Sequence, residues 1–527
     1  MRFTGPQDWQ PVPIQPGHYA NDVPLMGYQR RDGFGGNVLH PIHGDQNMEH
    51  TLAETYASLH RHSPPVRIER CHIRMPHWSG NQVPALDDYA LLHEPDRLAS
   101  TSVTVLTVPV QAIRSAEIGY HFDGHTLPAL RQRILRQSFH GIIGNLGYYY
   151  TRGLKEQKFS WSHESRYPKF PVSCPPAYLG FYATSDPTTG SVHSTFPSAY
   201  PGAVAIQWDG STVLLPRIEL DSYTVHLGGI ELAVEHVNDP LAVRSPVVAF
   251  TPACHTTQID DLVARAERSG GQSTAWQTYA PLIPLADAHD RIHVLLANQG
   301  NAGRPVEHVA AIWEGAAPLP SFGTVFSFIR GHFQALFGTP EHARAALVGT
   351  PVQVIPHGPA SLDPYVAVLG GLVPAVVEGQ FLCAPTVEET LRLLNQHGNA
   401  LSPLARAGQE SRNFDPYIRE PAGLLIQTAS HIGWVLLDGR HELSIGASVV
   451  DALQILHKLQ NEGILGQEIE QALFVDGGSA MKAYWVQSDS RSTELKLLNR
   501  VAAGSRNPAG NDPDGLNLYS TLALELE

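Results

Sequence analysis

Cysteine is scarce in this chain: four in 527 residues, at Cys71, Cys174, Cys254 and Cys383, with no Cys-x-x-Cys pair. Clustered thiols are what a disulfide framework or a zinc ribbon requires, so neither is expected. Long apolar runs are missing too, and no window reaches the length of a membrane-spanning helix. The opening segment, MRFTGPQDWQPVPIQPGHYA, has no apolar core of signal-peptide length, and the chain has no Asn-x-Ser/Thr acceptor. A cytoplasmic, soluble, bacterial protein is the expectation. Charge is sparse, at 16% of residues, and the formal net charge is −14. A deficit of positive charge argues against a nucleic acid polymer or an anionic membrane as partner. Any anionic ligand must be held locally, and the basic residues are mostly arginine, suited to forked contacts with phosphate or carboxylate.

What the chain does have is apolar content of 43%, enough for a large core in two or more domains or one enlarged one. Residues 1–104 are rich in Pro, His and Gly and read as an irregular N-terminal arm or accessory layer. Its Pro11-to-Pro16 and Val23-to-Tyr28 stretches could carry self-association by lying across a neighbour, which would make a homo-oligomer. Beyond it come short β-type runs: Ser102–Val110, Ala203–Trp208, Thr212–Leu215, Pro246–Phe250 and Ile292–Ala297. Helical spacing appears over Thr126–Gly141, Gln258–Arg268, Pro340–Leu347, Thr386–Gln396 and Ser448–Asn461. In the last, Ser448 is placed as N-cap with Asp451 three residues on, and Val449, Ala452, Leu453, Leu456 and Leu459 form one stripe. No period of solenoid or propeller length recurs. The fold class expected is α+β, a sheet-rich mixed α/β domain over 105–527.

Chemistry concentrates near the C-terminus. The strand Gln471–Val475 runs into Asp476-Gly477-Gly478-Ser479, a carboxylate at the tip of a rigid element beside glycines that let a ligand approach. By itself this is equally the Asp-Gly turn of a hairpin. Upstream lie Arg419-Glu420-Pro421-Ala422-Gly423, the strand Gly433–Leu437 ending in Asp438-Gly439-Arg440, then Ser444-Ile445-Gly446 and the helix. This order resembles the phosphodiester glycosidase family. Arg419 with Gly423, Asp438-Gly439-Arg440, Ser444 with Gly446, and Val475 to Gly478 look like the family's motifs in sequence. Further echoes are Gly144-Asn145-Leu146-Gly147-Tyr148-Tyr149, Pro201–Gly210 and Leu369–Gly379, so the resemblance spans about 105 to 525. The chain departs from it at Glu420, where the family usually carries a hydroxyl, and at Ser479, where a third glycine is common.

The resemblance implies hydrolysis of a glycosidic bond, with a sugar 1-phosphodiester as the expected substrate and no cofactor. Arg419 and Arg440 would neutralise the phosphate. Asp476 would act as nucleophile or general base, with Asp438 and Glu420 as the other carboxylates. Asn145, Tyr148, Arg440, Ser444, Gly446, Gly477, Gly478 and Ser479 would line the substrate. A carboxyl separation of about 5 Å would mean retention and about 6.5–9.5 Å inversion. The plain structural alternative for Arg419, Asp438 and Arg440 is an ion-pair network pinning strand ends.

Histidines His40, His43, His60, His62, His72 and His77 do not share a helical i, i+4 face, so no metal site is expected. His121, His125, His140 and His431 are candidate proton carriers near the site. Tyr148, Tyr149, Tyr150, Trp161 and Tyr167 could form a sugar-stacking wall, against core packing as the default. Two other readings stand beside the first. Glu420 favours a glycoside hydrolase acting on a saccharide without phosphate, and the scaffold could also serve a non-catalytic carbohydrate-binding protein.

Overall fold

The computed structural model describes residues 2–3, 6–13, 26–31, 48–63, 65–78, 80–120, 139–147, 149–150, 177–178, 182–185, 192–194, 201–218, 222–239, 241–251, 283, 285–298, 307–315, 324–357, 362–397, 416, 419–477, 481–488, 493–500 and 520–527. The fold is α+β and rich in sheet. Eleven strands matter for the site: β1 (Arg67–Arg74), β2 (Ser100–Pro109), β3 (Ile113–Tyr120), β4 (Gly141–Asn145), β5 (Gly202–Gln207), β6 (Tyr365–Val377), β7 (Ala422–Thr428), β8 (His431–Leu437), β9 (Ile469–Val475), β10 (Ala483–Ser488) and β11 (Ser520–Leu526). Five helices accompany them among the described residues: α1 (Met48–His62), α2 (Arg330–Phe337), α3 (Pro340–Leu347), α4 (Val387–Gln396) and α5 (Val449–Asn461).

The central sheet is antiparallel throughout and runs β6-β9-β7-β8-β2-β1. Its strands alternate their apolar side chains between two faces, the period-2 signature of a sheet buried on both sides. Leu424, Val435, Leu437, Ala472 and Phe474 face one core with α4 and α5. Leu425, Trp434, Leu436, Leu473 and Val475 face a second core with α1 and a five-stranded sheet. That sheet places β10, β4, β11 and β3 side by side. A third apolar cluster gathers Val225, Ile292, Phe326, Phe328, Phe333 and Val354 beside α2 and α3.

Helix α5 is the element that sets the site. Ser448 caps it, accepting from the Asp451 N–H while the Asp451 carboxylate accepts from the Ser448 N–H, a reciprocal capping box. Val450, Leu453, Leu456 and Leu459 are fully buried, each stabilising by roughly 1.5–3 kcal/mol.

The boundary expected at residue 104 falls inside β2, and Trp9, Ile73 and Trp78 belong to the α5 core. Within the first hundred residues, 67–74 and 90–92 are thus strands of the main sheet. Helices expected over 126–138 and 258–268 lie outside the described residues, and Gly141 opens a strand. No helix among the described residues is long and apolar enough to cross a membrane.

Candidate active site

β9 and β7 pair with Gly423 opposite Val475, so Asp476 leaves the sheet beside the segment that enters it, Glu420-Pro421. Glu420 is pinned there by two backbone bonds with Ala447, the residue just before the N-cap of α5: its N–H donates at 3.2 Å and its carbonyl accepts at 2.9 Å. Glycines make this possible. A Cβ at Gly446, whose φ is +86°, would stand 2.6 Å from the Glu420 carbonyl carbon and oxygen. Cβ atoms at Gly439 and Gly477 would come within 2.6 Å of the Pro421 nitrogen and oxygen. Three motif glycines therefore clasp one stretch of backbone, and a side chain on any of them would push Glu420 or Pro421 out of place.

The side chains at this junction are Glu420, Arg440 and Asp476. Arg440 holds φ at +63°, an uncommon backbone for a residue with a Cβ, and its Nη2 donates to Glu420 Oε2 at 2.9 Å. Arg440 and Glu420 keep 27% and 30% of their side-chain surface, so the pair is reachable from solvent. Burial holds the Glu420 carboxyl above its ordinary value, and Arg440 offsets this only in part. Burial also pushes the Asp476 carboxyl well above the ordinary carboxylate range, and the neighbouring negative charge of Glu420 raises it further. Among the described residues no cation pairs with Asp476.

Asn145, at the end of β4, holds the turn that carries Asp476. Its amide donates to the Asp476 carbonyl at 2.6 Å, and its Oδ1 accepts from the Lys482 N–H at 3.3 Å. The Asp476 N–H in turn donates to the Leu146 carbonyl at 2.6 Å. Both ends of the 476–482 loop are fastened to β4 through one side chain, so Asn145 positions the loop and its amide is occupied.

The remaining candidates do not converge with these three. Arg419 is 5% exposed and forks onto the fully buried Asp451, Nε to Oδ2 at 2.8 Å and Nη2 to Oδ1 at 3.1 Å, with Nη2 also donating to the Pro76 carbonyl at 2.6 Å. Asp451 additionally accepts from Trp78 Nε1 and the Tyr89 hydroxyl. Burial works against the Asp451 charge, but Arg419 more than offsets it and the carboxyl lies below its usual range. Asp438 is fully buried in a second network, accepting from Arg70 Nη2 at 2.7 Å and the Arg500 N–H at 3.1 Å, while Arg70 forks onto Glu49 of α1. The structure thus corrects the expectation of one shared cavity. Arg419 and Asp438 sit in buried ion-pair networks because each finds an opposite charge from a distant segment, while Glu420 pairs with Arg440 and its charge acts on Asp476.

Ser444 is likewise spoken for, donating to the Asp438 carbonyl at 2.7 Å and accepting from the Ser102 N–H at 2.9 Å. Tyr148, Gly478, Ser479, His121, His125, Trp161 and Tyr167 lie outside the described residues, as do the side chains of Tyr149 and Tyr150. His140 bonds Ser63 Oγ at 3.0 Å and sits edge-on to Trp485, and His431 bonds Ser430 Oγ. No group of three His, Cys, Asp or Glu able to hold a metal occurs among the described residues. Sequence reading passed over Arg70, Glu49, Arg500 and Lys482. Asp451 was recognised as a cap and not as the partner of Arg419.

No protein-family model matches the chain, and no curated protein matches it. Among solved structures the chain is similar to a hypothetical protein from Synechocystis, with a TM-score of 0.36 and 16% identity over 81% of this chain and 60% of that one. It is similar to a candidate exported protein from Burkholderia pseudomallei, with a TM-score of 0.38 and 14% identity over 83% of this chain and 77% of that one. It is also similar to the catalytic domain of zebrafish N-acetylglucosamine-1-phosphodiester alpha-N-acetylglucosaminidase, with a TM-score of 0.32 and 9% identity over 88% of this chain and 84% of that one. The chain spans about 60% of the length of the Synechocystis protein. At these scores the likenesses carry no argument about chemistry.

Proposed function

We propose that the chain is a hydrolase of glycosyl bonds that works through the carboxylate pair Asp476 and Glu420. The observation that carries this reading is the contrast between them: two neighbouring carboxyls, one tied to Arg440 and one that no cation pairs among the described residues. Such a pair divides into an acid and a base. Asp476, protonated, donates to the departing oxygen. Glu420, ionised beside Arg440, acts on the anomeric carbon directly or through water.

The same contrast bears on the leaving group. Phosphate departs without a strong acid, whereas a sugar alkoxide needs a proton, and Arg419 is committed to Asp451. The reading supported best is therefore a saccharide whose leaving group must be protonated. A sugar 1-phosphodiester is the second reading, favoured by the 27% exposure of Arg440, which leaves its guanidinium able to exchange Glu420 for a phosphate.

Turnover of a panel of aryl glycosides and of sugar 1-phosphodiesters, measured for the unaltered chain, Asp476→Asn and Glu420→Gln, tests the proposal. Hydrolysis of at least one substrate, falling about a hundredfold or more in each variant, is expected. Glycoside preferred over phosphodiester supports the first reading, and the reverse preference the second. Sugar binding by calorimetry with no product from any substrate would replace both with a non-catalytic carbohydrate-binding protein.

A further inference from the structure

Arg440 keeps its backbone at φ +63°, and a residue with a Cβ persists in that conformation where the segments on either side are fixed. Two residues earlier stands Asp438, whose buried carboxylate is held by Arg70. We propose that Arg70 is a positioning residue of the candidate site: by holding Asp438 it fixes the turn 438–446 that sets Arg440 against Glu420. The assignment rests on the reading above that Glu420 and Arg440 belong to the reacting site, and it gives α1 and β1 a part in building that site.

Arg70 divides its guanidinium among three elements. Nη2 donates to Asp438 Oδ2 and to Glu49 Oε1, each at 2.7 Å, Nε donates to Glu49 Oε2 at 2.6 Å, and Nη1 donates to Thr104 Oγ1 at 2.9 Å. α1 is thereby joined through Glu49, β2 through Thr104 and the end of β8 through Asp438. The guanidinium is planar and its donors diverge in fixed directions, so holding Glu49 and Thr104 fixes where Asp438 can lie. Burial works against the Glu49 charge, but Arg70 more than offsets it and the carboxyl lies below its usual range. Burial also raises the Asp438 carboxyl, and Arg70 opposes this more strongly than Arg500 does.

The turn is described without a gap from Asp438 to Gly446. Its main chain is fastened to β2: the Asp438 N–H donates to the Ser102 carbonyl at 2.9 Å, the Ile445 N–H donates to the Ser100 carbonyl at 2.9 Å, and the Gly446 carbonyl accepts from Thr101 Oγ1 at 2.7 Å. Ser444 Oγ closes the turn on itself by donating to the Asp438 carbonyl. Gly439 and Gly446 then lie against Glu420, and Arg440 Nη2 reaches Glu420 Oε2 at 2.9 Å. A shift of Asp438 is carried to Arg440 through Gly439 alone, and Gly439 is packed against Pro421.

Carboxyl-carbon NMR of Glu420 through a pH titration reads the contact with Arg440, because Arg440 offsets part of the burial that raises this carboxyl. It is measured, with glycoside turnover, in the unaltered chain, Arg70→Met and the double variant Arg70→Met with Asp438→Asn. The double variant removes the buried carboxylate that the first change leaves unpaired, so its thermal unfolding is expected to stay cooperative. In both variants Glu420 is expected to titrate higher than in the unaltered chain. Turnover is expected to fall about tenfold or more, with KM changed less than about threefold. A Glu420 titration that does not move in the folded double variant overturns the proposal and leaves Arg70 as an ion pair that serves the fold alone. A Glu420 titration that moves, together with no glycoside hydrolysis by the unaltered chain, would leave Arg70 assigned and remove the hydrolase reading.

Discussion

Arg419 and Arg440 stand twenty-one positions apart and both follow from the same motif reading, but their surroundings give them different work. The Arg419 guanidinium is enclosed with Asp451, and a buried pair broken on one side leaves an uncompensated charge, which costs about 3–5 kcal/mol. Arg419→Met is therefore expected to lower the free energy of urea unfolding by that amount. Wild-type stability combined with weakened substrate binding would instead return Arg419 to the ligand. Arg440 keeps 27% of its side-chain surface and pairs with Glu420, which places it at the reactive junction. Nothing in the sequence separates the two, because the deciding partner of Arg419 is thirty-two residues downstream on a helix. Asp451 was legible as a capping residue, and a cap carboxylate with two oxygens has room for a guanidinium as well.

At the scale of elements, local signals were legible wherever local chemistry decides. Helix α3 spans Pro340–Leu347 as its spacing indicates, and Thr386 and Ser448 cap α4 and α5 where their hydroxyls precede acidic first turns. Helix α1 was missed because its buried face, Leu52, Thr55, Tyr56 and Leu59, carries only two aliphatic side chains and adjoins a Pro- and His-rich stretch. The motif glycines were legible as sites of close approach, but what approaches them is the chain's own Glu420-Pro421 backbone. Gly446→Ala adds a methyl 2.6 Å from Glu420 in a backbone conformation alanine rarely adopts. It is expected to keep the fold and cut turnover by about a hundredfold, as a carboxylate displaced by about 1 Å would. Unchanged turnover in Gly446→Ala would show that Glu420 need not be held by this contact.

At the scale of the whole molecule, the account depends on which distant segments meet. Pairing β9 with β7, and β7 with β8, brings the turns after Val475 and Leu437 to the same edge, which the order of motifs anticipated. Side-chain partners across the sheet were not anticipated. Asp438 is claimed by Arg70 and by the Arg500 backbone, whereas among the described residues the charge acting on Asp476 is that of Glu420, so two Asp-Gly strand ends of similar sequence acquire opposite characters. Their difference has a pH signature. Because the folded Asp476 carboxyl is raised, the folded chain holds a proton that the unfolded chain releases. Its contribution is fully present below the ordinary carboxylate range and is lost as pH rises through the folded value.

Carboxyl-carbon NMR of the aspartates and glutamates, followed through a pH titration and assigned with Asp476→Asn, reads this coupling at the atom concerned. The account predicts that Asp476 titrates well above the ordinary carboxylate range and moves down in Glu420→Gln, where the neighbouring charge is gone. An Asp476 that titrates with the surface carboxylates and ignores the Glu420→Gln change would contradict the paired acid and base on which the proposed hydrolysis rests.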